Sequence, residues 1–333
     1  MDHSDRIALD VMGGDSAPAC NLDGAMLAVE RGVPAARLLL VGREDEILSG
    51  LKERGGNPGF EVLHADEVIA MDEKPAVALR AKPGSSIGVA TGAVKAGLAG
   101  AHVSMGNTGA VVGAATVGLK TLDGVRRPGI AVTVRLTGKP VTILDMGANV
   151  VPKAEHLVQY GHMGAVLMRD VVKSERARVA LLNIGEESTK GTDLLREAHA
   201  ALAESDLDFI GNIESNEIFG DSAEVVVTDG FTGNVVLKLM EGFSGFLLGL
   251  VGREMAAHGA DWAPEVLGTV RKKVDYSEYG GALLLGVRGI VVIGHGRSDA
   301  HAVSNAIELA GRALDADVNG KIVQGLADRA PSS

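Results

Sequence analysis

The chain carries a single cysteine, Cys20, so it holds no internal disulfide framework and no paired thiolates for a metal or redox centre. Aromatic residues make up only 3% of its 333 residues, too few for a run of base-stacking platforms. Basic residues are outnumbered, with 32 Lys and Arg against 43 Asp and Glu and a formal net charge of -11. Bulk nucleic-acid binding needs the opposite balance, so no nucleic-acid partner is expected. The opening MDHSDR is polar and runs into a short strand-like segment, unlike a signal peptide, and no 18-residue apolar span is read in the chain. A cytoplasmic protein is the expectation. Other motifs are missing too: HExxH and GxxxxGK[ST] do not occur, and Gly13-Gly14-Asp15 is no dinucleotide fingerprint, since Asp15 would sit badly beside a pyrophosphate. No metal and no cofactor is expected, which leaves chemistry by positioning and charge stabilisation.

What the chain does have is apolar substance and glycine. Hydrophobic residues are 46%, ample for a core, and the 45 glycines are roughly twice the usual ~7%. They follow no three-residue period, so a collagen-like helix is excluded. They gather where apolar runs end. Such runs occupy residues 7–11, 37–41, 102–105, 130–134, 141–144, 179–182, 224–228 and 290–293. Helical patterns fill 19–31, 86–98, 110–119, 154–171, 192–203 and 300–314. Strands without clean alternation, separated by helices, indicate sheets covered on both faces, the α/β class. One large unit or two joined lobes fits this length, with the two close strands in 128–149 as a candidate bridging sheet. Residues 231–255, FTGNVVLKLMEGFSGFLLGLVGREM, stand apart: nearly all apolar, with interior glycines that weaken an isolated helix. They fit a buried helix, or helix pair, at a core or subunit interface. They also fit an exposed apolar element that touches a membrane or partner, and their charges argue against a spanning helix.

Ligands of α/β folds sit beyond the carboxyl ends of strands, where five glycine-rich stretches and the further loop NIGEESTKG fall. In IALDVMGGDSAP, Gly13 and Gly14 offer backbone N–H groups for an anion, while Asp10 and Asp15 either shape the loop or serve the site. In SMGNTGA, Asn107 or Thr108 caps the next helix, and its first-turn amides, with Gly109, point at whatever lies above the strand. In DMGAN, Asn149 and the nearby Lys153 are donors. The loop NIGEESTKG carries Glu186 and Lys190, an orienting carboxylate and a cation for an oxyanion, or else a solvated pair. In DGFTGN, Asp229, Gly230 and Asn234 follow a strand, and Lys238 shares a helical face with Asn234. In GHGRS, His295 stands beside Gly296, uncrowded and suited to acid–base work near neutral pH, or to a structural role.

Eight stretches in order, IALDVMGGDSAP, SMGNTGA, RRPGIAV, LDMGAN, LLNIGEESTKG, GNIESNE, VVTDGFTGNVVLK and DYSEYGGALLLGVRGIVVIGHGRS, resemble the bacterial phosphate acyltransferases of membrane-lipid synthesis over nearly the whole chain. Two positions depart from the family form: Met105 replaces a small residue and Leu283 a proline. The resemblance implies transfer of a fatty acyl group from acyl-[acyl-carrier-protein] to inorganic phosphate, giving acyl-phosphate. It implies a three-layer α/β/α, Rossmann-like fold related to phosphotransacetylases and the isocitrate and isopropylmalate dehydrogenases. It implies a homodimer, a membrane glycerol-3-phosphate acyltransferase as functional partner, and peripheral membrane contact in some members. In this expectation phosphate attacks the thioester directly, Lys190, Asn107, Asn149, Thr108 and backbone amides hold charge, and His295 protonates the leaving thiolate. Acyl carrier protein is acidic, so docking needs a local basic patch, for which Arg271, Lys272 and Lys273 are the densest candidate. A coenzyme A-dependent phosphotransacetylase, an isocitrate-like dehydrogenase and a non-catalytic carrier- or membrane-binding scaffold are the rival readings.

Overall fold

The computed structural model describes residues 3–135, 139–274 and 276–327. The chain divides into two compact units. The first is built from Met1–Pro128 together with Tyr279–Ser333, and the second from Gly129–Glu278.

The first unit opens with β1 (Ile7–Asp10), α1 (Ala19–Glu30), β2 (Leu38–Gly42), α2 (Glu44–Glu53) and β3 (Glu61–His64). There follow α3 (Pro75–Ala81), α4 (Ser86–Lys95), β4 (Ala101–Ser104) and α5 (Thr108–Gly118). The second unit comprises β5 (Gly129–Val134), β6 (Val141–Leu144), α6 (Ala154–Asp170), β7 (Val179–Leu182), α7 (Asp193–Ala203), β8 (Phe209–Ile213), β9 (Val225–Val227), α8 (Gly230–Ala257) and α9 (Ala263–Val274). The chain then returns to the first unit with β10 (Ala282–Leu285), β11 (Ile290–Ile293), α10 (Ala300–Asp315) and α11 (Val318–Ala327).

In the first unit the strands run in the order β3-β2-β1-β4-β11-β10, parallel except for β10 against β11. In the second they run β5-β6-β9-β7-β8, parallel except for β5 against β6. The inner strands β1, β2, β4, β6, β7, β9 and β11 are buried at every residue. This is the reason their sequences are unbroken apolar runs rather than alternations. The outermost strands β3 (EVLH) and β8 (FIGNI) are half-exposed and mix polar with apolar residues. Periodicity therefore does not reveal them.

Helix boundaries follow local chemistry. Pro75 opens α3, where a missing N–H costs nothing. The Asp299 carboxylate accepts the Ala302 N–H at 2.9 Å and caps α10. Helices α1 and α10 pack closely because Gly24 has no side chain, as one would collide with Val303.

The segment 231–255 is a single helix, α8, not a helix pair, and it is not a core helix. Only Gly230 and Gly233 at its first turn are buried. By length and composition it is the one helix among the described residues apolar enough to cross a membrane, and none of its most apolar 18-residue stretch is buried. This corrects the reading that no such span exists. Apolar side chains occupy most of its surface, among them Phe231, Leu239, Phe243 and Phe246, each more than half exposed.

Candidate active-site loops

Each unit carries its own cluster of loops at the carboxyl ends of its parallel strands, and each cluster is organised by one buried carboxylate. In the first unit this is Asp10, the last residue of β1 and fully buried. Its carboxylate accepts the Met12 N–H at 3.1 Å and the Ser104 hydroxyl at 2.7 Å. The Ser104 Oγ in turn accepts the Gly106 N–H at 3.0 Å. Burial pushes the Asp10 carboxyl above its ordinary value, while bonds from Ser86, Ser104, Met12 and Gly13 pull the other way. The Asn21 side chain braces the same loop by donating to the carbonyls of Val11 and Gly13, both at 2.8 Å. Asp10 thus shapes the loop from within.

Gly13 and Gly14 line this turn. A Cβ on Gly13 would lie 2.5 Å from the Asp10 carboxylate and 2.7 Å from the Gly106 nitrogen, and Gly14 has φ +103°. The Asp15 N–H donates to the Gly296 carbonyl at 2.7 Å, tying the first loop to the last, while its carboxylate is exposed. Met105, the large residue where a small one was expected, is buried against Gly294, whose missing side chain makes the space.

Asn107 is the N-cap of α5, its Oδ1 accepting the Ala110 N–H at 3.0 Å. Its Nδ2 donates to the carbonyls of Ala70, Met71 and Glu73 at 3.3, 3.1 and 3.0 Å. Both ends of this amide are therefore bonded to protein, and Asn107 braces α5 against the loop before α3. Thr108 opens α5 and is exposed. The lack of a side chain at Gly109 is explained by packing, since a Cβ there would lie 2.6 Å from Pro75. His295 is half-buried; its Nδ1 accepts the Arg297 N–H and its own N–H donates to Ser298 Oγ, both at 3.2 Å. With Nδ1 accepting, the neutral ring carries its proton on Nε2.

In the second unit the organising carboxylate is Asp145, directly after β6 and fully buried. It collects the amides of Ile130, Gly147, Ala148 and Asn149 at 2.7 to 3.0 Å. Burial raises its carboxyl above the ordinary value and these four amides oppose the rise. The Asn149 side chain donates to the hydroxyl of the buried Tyr160 at 2.7 Å and to Asp145 at 3.4 Å. Asn149 is thereby anchored, as Asn107 is, by the protein itself.

The α8 N-terminus abuts this loop. Asp229 caps the helix, accepting the Thr232 N–H at 2.9 Å and its hydroxyl at 2.7 Å, so its carboxylate is committed to the cap. A Cβ on Gly230 would lie 2.6 Å from the Asn149 carbonyl. Asn234 is exposed beside Gly147. Lys238 pairs with Glu241 at 2.8 Å along the helix. On the loop after β7, Glu186 and Lys190 are both exposed, and among the described residues no ion pair joins them. The loop is instead held by Asn183, which donates to the Lys190 carbonyl at 3.2 Å and accepts the Ile184 N–H at 2.8 Å. Arg271 is exposed on α9; the side chains of Lys272 and Lys273 lie outside the described residues.

Sequence reasoning missed Asn21, Ser104, Asn183 and the role of Asp145. The available signal was the repeated pattern of an apolar strand ending in aspartate before a glycine turn, LDVMGG and LDMGAN.

The family model described as "Fatty acid synthesis protein" matches residues 5–321. A phosphate acyltransferase of Heliobacterium modesticaldum is 46% identical over 312 residues, 92% of either chain. The chain belongs to the phosphate acyltransferase family. A phosphate acyltransferase of Endomicrobium trichonymphae is 45% identical over 90% of this chain and 91% of its own length. Among solved structures, a phosphotransacetylase from Streptococcus pyogenes superposes with a TM-score of 0.62 over 93% of this chain and 94% of its own, at 18% identity. A branched-chain phosphotransacylase from Enterococcus faecalis gives 0.54 over 92% and 98%, at 14% identity. The phosphate acyltransferase chain therefore has an α/β fold related to that of the phosphotransacetylases.

Proposed function

We propose that this chain moves a fatty acyl group from acyl-[acyl-carrier-protein] to inorganic phosphate, and that the acyl-phosphate supplies phospholipid synthesis through a membrane glycerol-3-phosphate acyltransferase. That it is an enzyme transferring an acyl group to phosphate in lipid biosynthesis follows from its family. The observation that carries the reading is the 46% identity to a phosphate acyltransferase across 92% of the chain.

The chemistry needs no protein nucleophile. Phosphate is an anion at neutral pH, and one of its oxygens attacks the thioester carbonyl. The new C–O bond forms, a tetrahedral oxyanion develops, and the C–S bond breaks to release the carrier thiolate. The first-turn amides of α5 have no partners within the helix. With Ala110 N–H taken by the Asn107 cap, those of Thr108 and Gly109 are suited to phosphate. His295, with its proton on Nε2, is the proposed donor to the thiolate. Lys190 keeps the role proposed for it, a cation for developing negative charge, and the Asp145-organised loop holds Asn149.

Arg271 is the described part of the proposed docking patch for the acidic carrier. A homodimer is the proposed assembly. The exposed apolar side chains of α8 are the proposed surface for peripheral membrane contact.

The test is to incubate the purified protein with a long-chain acyl-[acyl-carrier-protein], with and without phosphate, and trap product with hydroxylamine. Phosphate-dependent hydroxamate with release of free carrier is the expected result. No product from folded protein, or turnover of acyl-CoA alone, would refute the carrier-protein reading.

A further inference from the structure

The segment between β3 and α3 is stapled down with unusual care. The Asn107 amide binds three of its carbonyls, those of Ala70, Met71 and Glu73. The Glu73 carboxylate accepts the Ala70 N–H at 2.7 Å and the Lys82 ammonium at 2.6 Å, and Lys82 also donates to the Val68 carbonyl at 2.8 Å. Glu67 accepts the Gly84 N–H at 2.9 Å. These bonds hold the backbone of Met71 in one place, yet its side chain is not drawn into the core and stays 41% exposed.

The Met71 side chain lies over Gly296. A Cβ on Gly296 would be 2.7 Å from the Met71 methyl carbon and 3.1 Å from the Asp15 carboxylate. The Met71 methyl therefore stands against Gly296, the residue after His295, beside the Asp15 carboxylate. A single exposed apolar residue needs no explanation in general. This one is held by a polar framework against the glycine-rich loops Gly13–Asp15 and Gly294–Gly296, where its exposed side can meet a ligand.

The proposed substrates have two chemistries. Phosphate is satisfied by amides and offers nothing to a thioether. The acyl donor carries a hydrocarbon chain that gains by leaving water, and an unbranched, polarizable methionine adapts to such a chain. Resting on the function proposed above, we propose that Met71 is a specificity-determining residue whose thioether packs along the fatty acyl chain of the donor.

The experiment compares wild type with Met71→Gln, which keeps length but is polar, and Met71→Leu, which restores apolarity. Readouts are kcat/KM for long-chain and acetyl forms of the acyl carrier protein, KM for phosphate, and the thermal midpoint. For M71Q, kcat/KM toward the long-chain donor should fall about tenfold, the scale of a lost apolar pocket contact. The acetyl donor, the phosphate KM and the midpoint should be unchanged, and M71L should recover most of the loss. An equal loss with both donors, a raised phosphate KM, a fall in midpoint that accounts for the loss, or no change would each overturn the assignment. If wild type makes no acyl-phosphate from any donor, the functional reading fails first and this one with it.

Discussion

The centre of the first unit's sheet contains a histidine whose protonation should set the acid stability of the protein. His102 lies on β4 and is fully buried. The Thr91 hydroxyl donates to the Ile87 carbonyl at 2.9 Å, so its oxygen is left to accept from His102 Nδ1 at 3.2 Å. The proton of the neutral ring is thus on Nδ1, and Nε2 is a bare lone pair with no partner. Protonating Nε2 would bury a charge and an unanswered N–H. Burial accordingly lowers the imidazole from 6.5 to about 4. Between these values the unfolded chain binds a proton that the folded chain refuses, so stability is full above the ordinary value and falls as pH drops toward the folded one. At about 1.4 kcal/mol per pH unit the gap amounts to about 3 kcal/mol, a large part of a typical domain's stability. The buried Asp10 and Asp145 have the opposite sign. Their raised carboxyls contribute stability that is present below the ordinary carboxylate value and lost as pH rises. They are common to wild type and variant and cancel in the difference. The assay is urea unfolding of wild type and His102→Asn from neutral pH down to the folded value. Asparagine keeps a donor for Thr91 but does not titrate. The variant starts less stable because of the void it leaves, and the difference between the two proteins should shrink by about 3 kcal/mol across the window. Parallel pH profiles would refute the reasoning.

Asp145→Asn should cost about 3 kcal/mol in urea unfolding, because an amide cannot accept four N–H groups and sets its own N–H against some of them. A cost below ~1 kcal/mol would show that the loop re-forms without the carboxylate. Lys190→Ala and His295→Ala should each lower kcat/KM in the hydroxamate assay about a hundredfold with the thermal midpoint held. Full activity in either variant removes that residue from the mechanism. Phe243→Glu combined with Phe246→Glu on the exposed face of α8 should abolish co-sedimentation with lipid vesicles while leaving turnover of soluble substrates intact. Retained sedimentation would reject α8 as the membrane contact.

The inner strands were legible because burial on both faces leaves a continuous apolar run, as in IALD, VTIL and IVVI. β3 and β8 were not, since each has half its surface outside the core. The sequence of α8 left its environment open because apolar side chains surround it, and periodicity cannot separate a helix hidden in protein from one left bare. The glycine loops were visible as a group, but the reasons for individual residues were tertiary. Gly109 is small because of Pro75, and Gly230 because of the Asn149 carbonyl. Ser104 meets Asp10 across 94 positions of sequence, a partnership no local spacing encodes. Asn107 looked like a donor for a ligand because its other partners arrive from the loop before α3.

The chain leaves the first unit at Pro128 and re-enters it at Tyr279, which imposes an order on its biosynthesis. On the ribosome, the strands β1 to β4 emerge early but lack β11, which pairs directly with β4, and α10, which packs on α1. Until those late segments appear, β4 offers an unpaired edge and the His102 strand has one side open to whatever is nearby. The second unit, contiguous in sequence, has all its strands in hand much sooner. The half that is made first is thus the half that is finished last, and a stalled or prematurely ended chain would display an adhesive β-edge where the finished enzyme has the middle of a sheet.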